Sequence, residues 1–200
     1  MSISGAMSNL VLASSSTYRK SLLERLAIEF SCCSPNIDES PLAAESAPQL
    51  TERLALEKAR AVADRFPNAV VIGADQTAEL NGALLNKPLT HEQAVAQLSA
   101  QSGQQVLFHS GLAVMQVEPN GQLKQHSLVN TTEVEFRSLT LAQIERYLTS
   151  EQPYDCAGSF KAEGLGISLF SMVRSNDPTS LIGLPLIDLC SILPQFSIKV

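Results

Sequence analysis

The sequence predicts an α/β protein with a mixed β-sheet flanked by helices, and three observations support this. Residues 70–76 are a short, mostly β-branched apolar run that stops at Asp75, which is typical of a buried strand ending there. Residues 9–13 read as a strand followed at once by a turn and a helix. Two long strands, about 105–117 and 123–136, flank a Pro-Asn-Gly turn and look antiparallel.

Composition narrows the function before any motif is considered. The 200 residues suffice for one core or for two small lobes that share a cleft. A net charge of −6 argues against duplex nucleic acid as the main partner, because binding to duplex phosphates needs an excess of Lys and Arg. No apolar run approaches the roughly 18 residues of a membrane span, and residues 1–7 lack a signal peptide's basic start. We therefore expect a cytoplasmic protein that does not bind membranes.

The cysteines do not indicate a metal site. None of the four lies in a C-x-x-C pair, and adjacent Cys32 and Cys33 would point to opposite faces of a strand. We expect buried free thiols in a reducing compartment.

The first strand leads into a candidate anion site. Ser14, Ser15 and Ser16 form a hydroxyl-rich turn, and a helix with Arg19 in its first turn follows. Such a turn directs backbone N–H groups and the positive end of the helix dipole at a ligand. A serine-rich helix cap without function is the alternative.

The next segment contributes acids and a lysine. Residues 28–33 are expected to form a second strand, and the polar loop after it carries Asp38 and Glu39, of which Asp38 is expected to be solvated. A helix should begin near Ser46, where Gln49 can complete a capping box. On spacing alone, Lys58 in this helix would form only a solvated ion pair.

Asp75 is the central candidate for a functional residue. Ligands of open α/β sheets bind beyond the carboxyl ends of strands, so Asp75 would face a cleft with Gln76 beside it. Gly73 would allow a backbone or a phosphate to approach. The alternative is an Asp that only caps a turn. Asn81-Gly82 predicts a hairpin, whose return would let Lys87 reach toward Asp75.

The remaining chain supplies helices and one glycine-punctuated stretch. Helices are predicted from Thr90, from Thr140 and over residues 186–193. Between the last two, residues 156–166 carry Lys161 and Glu163, which would share one face if the segment were extended.

Taken together, these motifs resemble the Maf family of nucleotide pyrophosphatases. The matching segments are Leu12 to Ser16 with Arg19, Asp38-Glu39, Glu57-Lys58-Ala59, Gly73-Ala74-Asp75, Lys87-Pro88 and Gly158-Ser159-Phe160. The resemblance implies an α/β fold of two lobes with a central substrate cleft, like that of the ITPases. It implies hydrolysis of a nucleoside triphosphate to a monophosphate and pyrophosphate with a divalent metal, Mg²⁺ or Mn²⁺. Residues 9–195 would form this single domain, after a disordered lead-in over residues 1–8.

Within the family, the pattern looks closest to the YceF-like branch, which is associated with 7-methyl-GTP. Tyr18, Gln76 and Glu163 carry this assignment, and they would select the base. The alternative is the dTTP/UTP branch, where Arg, Thr and Gln are typical at these positions. One departure is Asn86, which replaces the usual glycine before Lys87, so the loop must avoid a left-handed backbone or use Asn to adopt one.

The resemblance also implies a role for each candidate residue. Asp75 would activate water and, with Glu39, hold the metal. The phosphate-binding residues would be Ser14, Arg19, Lys58, Lys87 and Lys161. A non-catalytic nucleotide-binding regulator of cell division is the rival from another class, although a mere binder does not need the acids. The sequence leaves open whether the protein forms a homodimer.

Overall fold

A computed structural model describes residues 9–200 and confirms the α/β class, with a seven-stranded mixed sheet flanked by helices. The strands are β1 (Leu10–Ala13), β2 (Ser31–Cys32), β3 (Val70–Leu80), β4 (Ala83–Leu85), β5 (Gln105–Val117), β6 (Leu123–Phe136) and β7 (Phe170–Arg174). The helices are α1 (Thr17–Glu24), α2 (Ala47–Ala63), α3 (His91–Gln101), α4 (Leu141–Glu151) and α5 (Leu186–Ile192). The proposed lead-in over residues 1–8 lies outside the described residues.

The sheet has a parallel half and an antiparallel half. Its order is β2-β1-β3-β5-β6-β7, and β4 pairs with β3. β1 runs parallel to both β2 and β3, whereas β3, β5, β6 and β7 are successively antiparallel. The predicted bounds of the two long strands are confirmed.

The prediction that the strand at residue 70 ends at Asp75 is wrong. β3 continues to Leu80, because β5 pairs with it from Val70 to Glu79. On the edge of β3 opposite β5, two different strands pair with it: β1 with residues 70–73 and β4 with residues 78–80. Within the described chain, residues 74–77 thus have no strand on that side. Asp75 lies in the middle of this gap, just beyond the carboxyl end of β1.

Two shorter segments also differ from expectation. The strand predicted over residues 28–33 is reduced to Ser31–Cys32, since only these residues pair with β1. Residues 161–163 are not extended; they form a turn that leads into the 3₁₀ helix Leu165–Leu169. Periodicity alone could not reveal either change.

Helices cover the two faces of the sheet unequally. On one face, α1 and α5 pack through Leu22, Leu23 and Leu189 against one half of the sheet. On the same face, α3 and α4 pack through Leu98 and Leu148 against the other half. The opposite face is covered by α2, whose alanines pack in a third core cluster.

Close approach of α2 to the sheet explains Gly73. A Cβ atom at this position would lie 2.1 Å from the Ala55 carbonyl oxygen and 2.9 Å from the Ala59 Cβ. The neighbour that comes close is therefore the backbone of α2 and not a phosphate. The helix itself begins where predicted, with the Gln49 side chain accepting from the Ser46 N–H at 3.0 Å.

The four cysteines are free, as predicted, but they are not buried: Cys32 is exposed and the other three are half-buried. Within residues 9–200, none of the helices has both the length and the apolar character of a membrane span.

Candidate active site

A cavity of about 600 Å³ opens beside the gap in the edge of β3, and the turn from β1 into α1, the loop after β2 and residues 155–163 contribute to its wall. Pockets of about 300–1,000 Å³ are typical of small-molecule sites. All ten residues predicted for the site line this one cavity: Ser14, Tyr18, Arg19, Glu39, Lys58, Asp75, Gln76, Lys87, Lys161 and Glu163. The structure thus brings them together, while their individual roles stay predictions.

Asp75 and Lys58 form the buried centre of the site. Lys58 Nζ donates to Asp75 Oδ1 at 2.6 Å and lies 2.8 Å from Glu39 Oε1. The side chains of Lys58 and Asp75 are only 7% and 8% exposed, whereas that of Glu39 is 55% exposed. Lys58 is therefore not the solvated side chain that spacing suggested, because it balances two carboxylates. No hydrogen bond within residues 9–200 uses Asp75 Oδ2, so this oxygen can accept a proton from water.

Arg53 holds the loop that delivers Glu39. Its Nε donates to Glu45 Oε1 at 2.7 Å, and its Nη2 donates to Glu45 Oε2 at 2.9 Å and to the Ser40 carbonyl at 3.0 Å. These hydrogen bonds lower the pKa of Glu45 to about 2. A bidentate Arg–carboxylate contact fixes geometry as well as charge, so the loop is anchored one residue after Glu39.

The serine turn after β1 faces the cavity as predicted, and Ser14 to Thr17 line it. Ser14 Oγ accepts from the Ser16 N–H at 3.1 Å, and Ser16 caps α1 by accepting from the Arg19 N–H at 3.4 Å. Arg19 Nε donates to the Gly183 carbonyl at 3.0 Å, which fixes the guanidinium beside the turn. Burial lowers the pKa of Arg19, and nearby Asp75 and Glu39 partly oppose this shift. A guanidinium still carries its charge at neutral pH.

Tyr18, Lys161 and Glu163 line the same cavity, and Tyr18 and Lys161 interact with each other. Burial raises the pKa of the Tyr18 hydroxyl, and Cys156 adds to the shift, so the phenol stays neutral. Burial also lowers the pKa of Lys161, but Tyr18 and Cys156 outweigh it and the net shift is upward. Lys161 Nζ donates to the Glu151 carbonyl at 3.3 Å. Glu163 is exposed on the cavity wall. This part of the wall combines a neutral phenol, the Lys161 ammonium and an exposed carboxylate.

Gln76 points to the opposite face of β3 from Asp75, as neighbours on a strand do. Its Nε2 donates to Ser110 Oγ and to the carbonyls of Ser180 and Leu181, at 3.0–3.1 Å. The amide N–H groups therefore hold the 3₁₀ turn Ser180–Ile182, and only Oε1 remains for a substrate. Direct contact with the base edge stays a prediction.

The loop that carries Lys87 has an unexpected backbone. Asn86 does not adopt a left-handed conformation, whereas Leu89 does, with φ at 62°. The Leu89 N–H donates to the Tyr154 carbonyl at 3.0 Å. Lys87 itself is exposed and lines the cavity. Asn is therefore compatible with the position before Lys87, since the turn is made further along the chain.

Sequence reasoning missed several residues of the cavity wall. Asp155 and Cys156 lie next to Tyr18, and burial together with Asp155 raises the pKa of the Cys156 thiol to about 12, which makes it a poor nucleophile at neutral pH. Phe108, Ile37 and Ile182 contribute apolar surface. No motif marks these positions, because the sheet and the loops bring them together only in three dimensions.

The side chains that could bind a divalent metal in this cavity are carboxylates. Within residues 9–200, no group of three or more His, Cys, Asp or Glu side chains could hold a metal ion. Two carboxylates, Glu39 and Asp75, do converge on one point, where Lys58 Nζ now lies. Mg²⁺ is commonly held by one or two carboxylates plus substrate phosphates and water. Because Lys58 Nζ holds Asp75 Oδ1 and Glu39 Oε1, the oxygens left for a metal that binds together with a polyphosphate are Glu39 Oε2 and Asp75 Oδ2.

Known proteins resemble this chain over almost its whole length. A family model described as Maf-like protein matches residues 9–196. A protein from Xanthomonas axonopodis pv. citri named 7-methyl-GTP pyrophosphatase is 53% identical over 194 residues, which cover 97% of this chain and 100% of the relative. One from Acinetobacter baylyi named nucleoside triphosphate pyrophosphatase is 48% identical, covering 96% of this chain and 98% of that protein.

A solved structure supports the fold independently. The structure of a HAM1 protein from Coxiella burnetii superimposes with a TM-score of 0.53, covering 93% of this chain and 98% of that one. Sequence identity is 17%, so the likeness concerns the architecture alone.

Proposed function

This chain belongs to the Maf-like protein family, and on that basis we propose that it hydrolyses 7-methyl-GTP to 7-methyl-GMP and pyrophosphate. The observation that carries the proposal is the cavity beside the gap in β3. There, a buried aspartate with one free oxygen shares a single space with cationic side chains from four segments: Arg19, Lys58, Lys87 and Lys161. A triphosphate needs such cations, and its hydrolysis needs an activated water.

The reaction is an in-line displacement at the α-phosphorus. Asp75 Oδ2 takes a proton from the attacking water, whose oxygen forms the new bond to phosphorus. The bond from the α-phosphorus to the α–β bridging oxygen breaks, and pyrophosphate leaves. Lys58 keeps Asp75 Oδ1 bound at 2.6 Å, which leaves Oδ2 for the water. Arg19, Lys87 and the serine turn bind phosphate oxygens.

Glu39 and Asp75 are proposed to hold Mg²⁺ or Mn²⁺, for which carboxylate oxygens are suitable ligands. When bound, the metal neutralises charge on the phosphate oxygens. Activity should disappear in excess chelator and return with either metal. Full activity in excess chelator would remove the metal from the proposal.

Base selection is assigned to the part of the cavity wall near Tyr18. Methylation at N7 gives guanine a positive charge, which favours an aromatic face and a carboxylate. Contact of a cation with a neutral phenol ring contributes about 0.5–2 kcal/mol, depending on desolvation. Glu163 would accept hydrogen bonds from the guanine N1–H and amino group. The relative from Xanthomonas, named for this substrate, supports the assignment.

A substrate panel with a pyrophosphate readout tests the proposal. Purified protein should release pyrophosphate from 7-methyl-GTP with a higher kcat/KM than from GTP, dTTP or UTP. A faster rate on dTTP or UTP would refute the base assignment and leave the reaction class standing. Binding of every nucleotide without turnover would favour the regulator of cell division instead.

Two further properties belong to this proposal. We propose a cytoplasmic location, as expected for an enzyme that acts on a free nucleotide. A homodimer is proposed as the oligomeric state, and light scattering coupled to gel filtration tests it directly.

A further inference from the structure

One glutamine side chain on α3 connects two segments of the cavity wall that are far apart in sequence. Gln97 Oε1 accepts from Ser159 Oγ at 2.6 Å, and Gln97 Nε2 donates to the Asn86 carbonyl at 2.8 Å. Asn86 immediately precedes Lys87, the proposed phosphate ligand, and Ser159 lies two residues before Lys161. A single amide group therefore joins the Lys87 loop to the segment that leads into Lys161.

The segment on the Ser159 side depends on this support. Gly158 and Ser159 both have a left-handed backbone, with φ at 75° and 63°. A non-glycine residue in this region is strained and persists only where its surroundings hold it. Ser159 is completely buried, and Gln101 Nε2, one turn after Gln97, donates to the Gly158 carbonyl at 2.9 Å. Helix α3 thus imposes the conformation from which Lys161 and Glu163 extend.

The segment on the Asn86 side needs support for a different reason. Lys87 is exposed, and a long flexible side chain on an unfixed loop cannot hold a phosphate in one place. The Asn86 carbonyl is fixed by Gln97, and the Leu89 N–H is fixed by the Tyr154 carbonyl at 3.0 Å. Both anchors of the Lys87 loop therefore connect it to α3 or to the segment that leads into Ser159.

We propose that Gln97 is a positioning residue that sets the Lys87 loop relative to the segment of Lys161 and Glu163, so that phosphate and base are held at once. The proposal rests on the function proposed above. Loss of this amide would remove none of the substrate-binding residues. The distance between the Lys87 loop and the segment of Lys161 and Glu163 would, however, no longer be fixed. Misplacement of a binding group by about 1 Å can lower a rate by about 100-fold.

Two variants separate the two halves of the contact. Gln97→Met keeps the length of the side chain and removes both hydrogen bonds. Gln97→Glu keeps an acceptor for Ser159 Oγ but places a carboxylate oxygen against the Asn86 carbonyl. We expect Gln97→Met to lower kcat/KM about 10- to 100-fold. Gln97→Glu should lower the rate while retaining more of the discrimination between 7-methyl-GTP and GTP. Gln93→Met is the matched control, since Gln93 is exposed one turn earlier on the same helix.

A double-mutant cycle with Lys87→Ala tests whether Gln97 acts through Lys87. If it does, Lys87→Ala should cost at least about threefold less in the Gln97→Met protein than in the wild type, because coupled residues are not additive. The cycle is run on whichever nucleotide of the panel the wild type hydrolyses fastest, so failure of the 7-methyl-GTP assignment does not affect it. Circular dichroism confirms that each variant is folded, and Gln97→Glu replaces Gln97→Met if the latter is not.

Three results would overturn the proposal. The first is a folded Gln97→Met protein as active as Gln93→Met. The second is strict additivity in the cycle. The third is a Lys87→Ala protein with wild-type kcat/KM, since Gln97 would then have no phosphate ligand to position.

Discussion

At the residue scale, the environment of Lys58 decides how the site balances its charge. Its ammonium contacts both Asp75 and Glu39, and the pair with Asp75 is almost fully buried. Removing one partner of such a pair leaves an uncompensated charge in a poorly solvated place. Lys58 therefore does more than attract phosphate: its ammonium holds two carboxylates close to each other.

Glu163 provides the residue-scale prediction on substrate choice. Glu163→Gln removes the negative charge and exchanges an acceptor for a donor, while the shape of the side chain is kept. Because hydrogen bonds to charged groups contribute about 1.5–3 kcal/mol, the ratio of kcat/KM for 7-methyl-GTP over GTP should fall about tenfold or more. Initial rates of pyrophosphate release on both nucleotides measure it.

The control for Glu163→Gln is a second Glu→Gln change outside the cavity. Glu118→Gln makes the same change of charge in the turn between β5 and β6, away from the cavity lining. An unchanged ratio in Glu163→Gln, or an equal fall in Glu118→Gln, would mean that Glu163 does not read the base.

At the element scale, the site depends on where strands stop pairing. β1 leaves β3 after Gly73, and β4 joins it only at Ala78. In this gap, the side chains of Asp75 and Gln76 project to opposite faces of β3, yet both line one cavity. A continuous neighbouring strand would have closed this opening.

Local signals predicted most of the elements but not this gap. Capping residues such as Ser46 and Thr140, and the turn at Asn81-Gly82, act on near neighbours, and the elements that they predict are present. The continuation of β3 beyond Asp75 is imposed by β5, whose paired residues lie about thirty positions further along the chain. Pairings of this kind are decided by tertiary contacts, which override the local preference for a turn.

The residues of the candidate site likewise fall into those that the sequence predicted and those that it did not. Asp75, Arg19 and Lys87 could be found because each lies in a short motif. Gln97 and Asp155 could not, because nothing in their local sequence distinguishes them from ordinary surface residues. Their significance comes from the loops that α3 and the chain after α4 bring beside the cavity.

The loop before α2 gives a pH-dependent prediction. Hydrogen bonds from Arg53 lower the pKa of Glu45 from its ordinary value of 4.5 to about 2. A depressed carboxyl pKa stabilises the folded state above the unfolded value, and this stability is lost as pH falls toward the folded value. Glu45→Gln should therefore lower the free energy of unfolding at pH 7, and the difference should narrow below about pH 4.5.

Urea unfolding of the two proteins from pH 7 to pH 3 measures this difference. Glu57→Gln is the comparison, because Glu57 contacts Arg53 through one oxygen only, at 3.1 Å. A difference between wild type and Glu45→Gln that stayed constant down to pH 3 would contradict the assigned cause.

At the scale of the whole molecule, the close packing of α2 on the sheet holds the catalytic centre together. α2 carries Lys58 and β3 carries Asp75, so their 2.6 Å contact requires the helix to lie close to the strand. Gly73 permits this distance, since any Cβ atom there would meet the backbone oxygen of Ala55 at 2.1 Å. The position of the helix is thus coupled to the chemistry of the site.

Gly73→Ala should consequently destabilise the protein by about 3 kcal/mol, at the upper end of the usual cost of overpacking a core. A backbone atom cannot move aside as a side chain can. Gly164→Ala is the control, because its added Cβ would meet the far end of the Glu151 side chain and not backbone. Thermal unfolding of both variants checks this, and a Gly73→Ala protein as stable as Gly164→Ala would contradict the packing described here.

The most direct test of the account as a whole is kcat for 7-methyl-GTP in Asp75→Asn. The change keeps the size of the side chain and a hydrogen-bond acceptor for Lys58 but removes the base. Loss of a general base lowers rates about 10²- to 10⁴-fold, so kcat should fall within this range while the protein remains folded. Asp64→Asn, an exposed position at the end of α2, should keep wild-type kcat. A folded Asp75→Asn protein with near wild-type kcat would contradict the assignment of Asp75 as the base.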